Sequence, residues 1–128
     1  MSEKRKFLIV DDEHANCKLL KRFLTNRFED ELEIEIAYNG EQAIEMIEIS
    51  PQPDCVLLDI KMPIMDGLQA LKLLKPRFPD IKFIMVTANR SVSKMMDSIM
   101  SQAYDYVPKP INYDDLEKKI LSALSQNN

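Results

Sequence analysis

The sequence predicts an α/β fold: a single doubly wound five-stranded parallel sheet, strand order 2-1-3-4-5, flanked by five helices. Three observations carry this expectation. Short apolar runs alternate with longer stretches whose apolar residues recur at helical spacing. Five such strand-helix units succeed one another at roughly 25 residues each, enough for a helical crossover between parallel strands. Finally, three strands are apolar throughout and belong inside the sheet, while the alternating second and the proline-bearing fifth belong at its edges.

Each element has its own justification. FLIV at residues 7–10 reads as a buried strand ending at Asp11 and Asp12. Ala15, Leu19, Leu20, Phe23 and Leu24 then repeat as one helical face. Glu33, Ile34, Glu35 and Ile36 alternate strictly, which suits a strand with one wet face. Asn39, with Gln42 three residues on, marks a helix start before Ala43, Ile44 and Ile47. CVLL at 55–58 is the third strand and ends at Asp59. The loop KMPIMDG comes next, and Asp66 is placed to cap a helix bearing Leu68, Leu71 and Leu74, which Pro76 and Pro79 stop. FIMV at 83–86 is the fourth strand, ending at Thr87, and Val92, Met95, Met96, Ile99, Met100 and Ala103 form a helical stripe after it. Asp105–Pro108 is the short edge strand. Asn112, Asp114 and Asp115 open the last helix, whose predicted core face is Leu116, Ile120, Leu121 and Leu124.

Composition narrows the function classes. A chain of 128 residues supports one domain with its own core, and 45% hydrophobic residues is too many for a disordered chain. The longest apolar runs are four residues, so no helix is expected to span a bilayer, and MSEKRKF lacks the apolar stretch of a secretory signal. Cys17 and Cys55 have no metal-ligand spacing and read as buried apolar groups of a cytoplasmic protein. With 17 Lys and Arg against 21 Asp and Glu, the charge of -4 argues against direct nucleic-acid binding. The basic run at residues 4–6 is expected to be a solvated N-terminus, and His14 a surface residue.

The residues that close each strand are more informative. The first strand ends in Asp11 and Asp12, the third in Asp59 and the fourth in Thr87, and Lys109 comes directly after the fifth. In a parallel sheet these ends share one rim, and doubly wound proteins of this strand order bind ligands there, where the order reverses. Three carboxylates brought together repel one another unless a cation neutralises them. Carboxylate oxygens without His or Cys suit Mg2+, and a lysine with a hydroxyl adds donors for phosphoryl oxygens. The constellation points to phosphoryl transfer onto an aspartate.

FLIVDDE, AYNGEQAIEMI, DCVLLDIKMPIMDGLQAL, IMVTA and YDYVPKPI, in this order and spacing, resemble the response-regulator receiver domains of two-component signalling, whose fold is flavodoxin-like. The resemblance covers nearly the whole chain and implies one receiver domain over residues 1–128, with no output domain in this chain. It implies that Asp59 is the phosphoacceptor and that Mg2+ is held by Asp12, Asp59 and the backbone carbonyl of Lys61, with Asp11 assisting directly or through water. Thr87 and the Ala88 N–H would bond phosphoryl oxygens, Lys109 would pair with another, and Lys109–Pro110 would be cis. Tyr106 matches the aromatic switch residue that responds to Thr87. The implied partners are a sensor histidine kinase or histidine phosphotransfer protein and a downstream target or separate output domain. A phosphorylation-dependent homodimer is left open. Two positions depart from the family: Gln102 stands where Gly is usual, and Pro108 stiffens the last strand. Lys61 and Asn89 flank the expected path of the water that would hydrolyse the phosphoaspartate.

Such a module catalyses only its own phosphorylation and dephosphorylation and is not an enzyme in the turnover sense. Two other functions compete. A Mg2+-dependent phosphohydrolase with Asp59 as nucleophile would usually carry an acid two residues on, where Lys61 stands. An unphosphorylated receiver-like interaction domain would not need the intact set Asp11, Asp12, Asp59, Thr87 and Lys109.

Overall fold

The computed structural model describes residues 4–49, 51–88 and 102–125. Five strands, β1 (Arg5–Val10), β2 (Leu32–Ala37), β3 (Cys55–Asp59), β4 (Lys82–Thr87) and β5 (Asp105–Pro108), form one parallel sheet in the order β2-β1-β3-β4-β5. The described residues carry four α-helices: α1 (His14–Phe28), α2 (Gly40–Ile49), α3 (Gly67–Leu74) and α4 (Tyr113–Ser125). The predicted helical stripe of Val92, Met95, Met96, Ile99 and Met100 lies outside the described residues, as does Asn89.

The two-faced core arises from strand periodicity. Successive side chains of β1 point to opposite faces, and both faces are apolar. Phe7 and Ile9 join Leu57, Ile84 and Val86 beneath Leu20 and Leu24 of α1 and Leu116 and Ile120 of α4. Leu8 and Val10 join Val56, Leu58, Phe83 and Met85 beneath Ala43 and Ile47 of α2 and Leu71 and Leu74 of α3. Each completely buried Leu, Ile or Phe contributes about 1.5–3 kcal/mol of transfer free energy.

Local signals set the helix ends. The Gln69 N–H donates to Asp66 Oδ1 at 2.8 Å and Gln69 Oε1 accepts from the Asp66 N–H, a complete capping box for α3. Asn39 Oδ1 accepts from the Gln42 N–H at 2.8 Å, while Gln42 Oε1 reaches one residue further than the box pattern, to the Tyr38 N–H. Asn112 Oδ1 accepts from the Asp115 N–H at the start of α4.

The structure corrects three readings. Leu121 is not a core residue: it is 51% exposed, and Ala123 takes its place inward. On α1, Ala15 and Leu19 face solvent, and the buried face is Cys17, Leu20, Leu24 and Phe28. In both helices the inward stripe drifts around the axis, so an apolar residue at its margin is left wet. The basic run is not free in water either, because Arg5 and Lys6 belong to β1. Lys6 Nζ donates to the Pro51 carbonyl oxygen at 2.9 Å and pairs with Glu35 at 3.0 Å, while Arg5 Nη1 donates to the Leu124 carbonyl oxygen at 3.1 Å. Their aliphatic stems let both side chains cross the sheet margin before reaching a partner.

Ile64, in the loop after β3, has φ 69°, a left-handed conformation that a β-branched residue rarely adopts. It is 76% exposed and has little burial to lose. Ile64→Gly is therefore expected to stabilise the fold by about 1 kcal/mol. A lower urea midpoint with an unchanged slope would contradict that expectation.

Candidate functional site

The rim at the C-terminal ends of the strands gathers the polar residues. After β1 the ladder continues for one more bond, Asp11 N–H to the Ala37 carbonyl oxygen, before Asp11 Oδ1 accepts from the Glu13 N–H at 2.9 Å. This turn aims the acid pair at the sheet end and starts α1. Beneath it, the Cys17 thiol donates to the Asp11 carbonyl oxygen at 3.3 Å. Asp59 ends β3, and the Ile60 N–H donates to the Val86 carbonyl oxygen at 3.0 Å. Thr87 ends β4, and the Lys109 N–H donates to its carbonyl oxygen at 2.8 Å. Neighbouring strand ends thus bring residues far apart in sequence into one cluster.

The return path of the chain depends on Gly67. Its N–H donates to the Ile60 carbonyl oxygen at 2.8 Å, drawing the start of α3 against the end of β3. A Cβ at this position would overlap the Asp59 carbonyl oxygen and lie 2.9 Å from the Ile60 Cα. Glycine is required here for close backbone approach.

Within the cluster, carboxylate oxygens of Asp11, Asp12 and Asp59 lie within 4.8 Å of one another. Asp11 and Asp59 are buried, and Asp12 is more open to solvent. Lys109 Nζ donates to Asp59 Oδ2 at 3.2 Å. Burial raises the Asp59 carboxyl from 3.8 to about 6, and Asp11 pushes the same way; Lys109 and the Lys61 backbone N–H pull it down. Burial lowers the Lys109 ammonium, but Asp59, Asp11 and Glu13 outweigh it and hold the group above its ordinary value. The cluster therefore has excess negative charge seeking a cation. Three carboxylates without nitrogen or sulfur ligands could hold a hard divalent ion such as Mg2+.

Asp59 opens into a cleft of about 870 Å³, lined also by Lys61, Thr87, Ala88, Lys109 and Glu13. Lys61, Thr87, Ala88 and Lys109 share this cleft with Asp59, and Asp11 and Asp12 join Asp59 in the carboxylate cluster beside it. Tyr106 stands outward on β5, 54% exposed, and Lys109–Pro110 is cis. His14 is exposed and stacks on Tyr38, with ring centroids 4.0 Å apart. Both cysteines are buried, and burial raises the Cys17 thiol to about 11 and the Cys55 thiol further. Sequence reasoning missed Glu13 on the cleft wall, although it comes directly after the acid pair. It also read MDG as a helix start without seeing the close approach at Gly67.

A doubly wound parallel sheet with this acidic rim and its paired lysine defines a receiver-type signalling module. The family model for the response regulator receiver domain matches residues 7–121, and the chain belongs to that family. It is 34% identical over 120 residues to Response regulator MprA of Mycobacterium ulcerans (strain Agy99), an alignment covering 93% of this chain and 50% of that protein. The chain spans about half the length of the curated relatives it matches. A CheY-like receiver domain protein of Methanospirillum hungatei JF-1 superposes with a TM-score of 0.85 at 32% identity, over 98% of this chain and 97% of that one. A two-component response regulator of Clostridium difficile gives 0.85 at 28% identity, covering 98% and 99%. Among the described residues, no helix is long and apolar enough to cross a membrane.

Proposed function

We propose that this chain is a cytoplasmic, phosphorylation-switched receiver domain whose phosphoacceptor is Asp59. The supporting observation is the juxtaposition at that residue: Lys109 Nζ 3.2 Å from Oδ2, two further carboxylates beside it, and a cleft walled by Thr87. An Asp59 carboxylate oxygen attacks the phosphorus of a phosphohistidine on a sensor kinase or phosphotransfer protein. An O–P bond forms, the P–N bond breaks, and the departing imidazole nitrogen takes a proton from solvent. Asp12, Asp59 and the Lys61 carbonyl, with Asp11, would hold Mg2+, which when bound neutralises charge on the phosphoryl oxygens. The Lys109 ammonium releases Asp59 Oδ2 to pair with a phosphoryl oxygen, and the Thr87 hydroxyl and Ala88 N–H bond others. Movement of Thr87 turns Tyr106 inward and changes the face presented to a downstream protein.

The deciding experiment is incubation with Mg2+ and acetyl phosphate, then intact mass measurement. Wild type should gain one phosphoryl group and Asp59→Asn none. Absence of an adduct with any small donor or kinase would refute the proposal, and sustained phosphate release from many substrates would favour the hydrolase. Lys109→Ala is expected to keep Mg2+ binding but lose the conformational response to phosphorylation, read by amide NMR shifts. A normal response would remove Lys109 from the mechanism.

A further inference from the structure

One side chain of α4 meets Tyr106 twice. Lys119 Nζ donates to the Tyr106 carbonyl oxygen at 2.7 Å, and the same nitrogen lies 5.6 Å from the centroid of the Tyr106 ring. Two acids hold that ammonium in place. Asp115, one turn earlier on α4, is 2.9 Å away, and Asp105, the neighbour of Tyr106 in β5, is 3.9 Å away. The Lys119 side chain is only 22% exposed, whereas Tyr106 is 54% exposed. The ring therefore stands in solvent, while the cation beside it is fixed by groups on both elements.

A cation within about 6 Å of a ring centroid is attracted to the electron-rich face. The bond to the main-chain carbonyl does not depend on the ring, so it keeps Lys119 beside β5 whichever way the side chain turns. The ring contact is made in the outward state seen here and lost when the ring swings away. It thus favours one of the two states by differential interaction, which is what a shift of equilibrium requires.

We propose that Lys119 is a positioning residue that holds Tyr106 outward and so sets the threshold at which phosphorylation turns the switch. The inference rests on the reading of Tyr106 as the switch aromatic. Removing the cation raises the inward population before any phosphoryl group is added. Because the coupling is reciprocal, it also favours phosphorylation.

The test compares wild type, Lys119→Met, which keeps the aliphatic stem, and Lys119→Arg, which keeps the cation. Each is labelled with 3-fluorotyrosine, and Tyr106→Phe assigns the Tyr106 resonance among the four tyrosines. The fluorine shift between H2O and D2O reads ring exposure in the unphosphorylated protein. Lys119→Met should raise the inward-to-outward ratio about two- to fivefold, and Lys119→Arg should restore it. A folded Lys119→Met with unchanged ring exposure overturns the proposal, as does an Arg variant that behaves like Met. A shifted ring signal in a chain that accepts no phosphoryl group would support the role of Lys119 while refuting the assignment of Asp59.

Discussion

In metal-free solution above pH 6, Asp59→Asn is expected to be more stable than the wild type by roughly 1–3 kcal/mol, the lower end allowing for solvent screening. The folded Asp59 carboxyl is raised from 3.8 to about 6, chiefly by burial and then by Asp11. Below pH 3.8 both folded and unfolded chains hold the proton, and the group contributes no difference. Between 3.8 and 6 the unfolded chain releases a proton that the native chain retains, so wild-type stability falls as pH rises. Above 6 the native state carries the whole cost of a buried charge. Urea titrations with a chelator at pH 4 and pH 7.5 should show the advantage of the variant shrink to about 0.5 kcal/mol at the lower pH. Addition of Mg2+ should then stabilise the wild type and leave Asp59→Asn nearly unmoved, by mass action on the site. A variant no more stable than wild type at pH 7.5 would mean that Asp59 is not strained by its neighbours.

The second large effect belongs to Gly67→Ala. The added methyl meets backbone, the Asp59 carbonyl and the Ile60 Cα, so no side-chain rotation can make room. Either α3 moves away from β3 or the end of β3 shifts, and overpacking of this kind costs about 1–3 kcal/mol. If Asp59 is the phosphoacceptor proposed above, its displacement by even about 1 Å slows phosphoryl transfer on the order of 100-fold. Gly40→Ala provides a comparison, since its Cβ would meet the Met65 carbonyl oxygen at 2.8 Å and the Met65 side chain, in a loop rather than at the reacting residue. Urea unfolding and acetyl phosphate kinetics should show both defects in Gly67→Ala and mainly the stability defect in Gly40→Ala. Phosphorylation of Gly67→Ala at the wild-type rate would show that the loop adapts without moving Asp59.

Much of this site was legible because it is written at strand ends. Asp11, Asp59 and Thr87 each close an apolar run, and a parallel sheet must bring those ends to one rim. The edge positions of β2 and β5 were equally readable, from alternating Glu33 and Glu35 and from Pro108. Other features depend on distances that no one-dimensional pattern encodes. Nothing in the spacing of Lys119 and Tyr106 shows that an ammonium on α4 lies against a ring on β5. Leu121 and Leu19 match the helical period yet face water, because the period gives a stripe but not how far a neighbouring element covers it. The partners of Arg5 and Lys6, the Leu124 and Pro51 carbonyls, are equally distant in sequence.

The two outermost strands bear on solubility at high concentration. An unpaired strand edge is a template on which a second chain can add, the first step toward amyloid-like stacking. β2 carries Glu33 and Glu35, so a like strand laid beside it would bring carboxylates together. β5 is only four residues long and carries a proline, both of which limit pairing with a second chain. The sheet is thus blunted against self-association at both margins, by charge repulsion on one side and by a short, proline-bearing strand on the other.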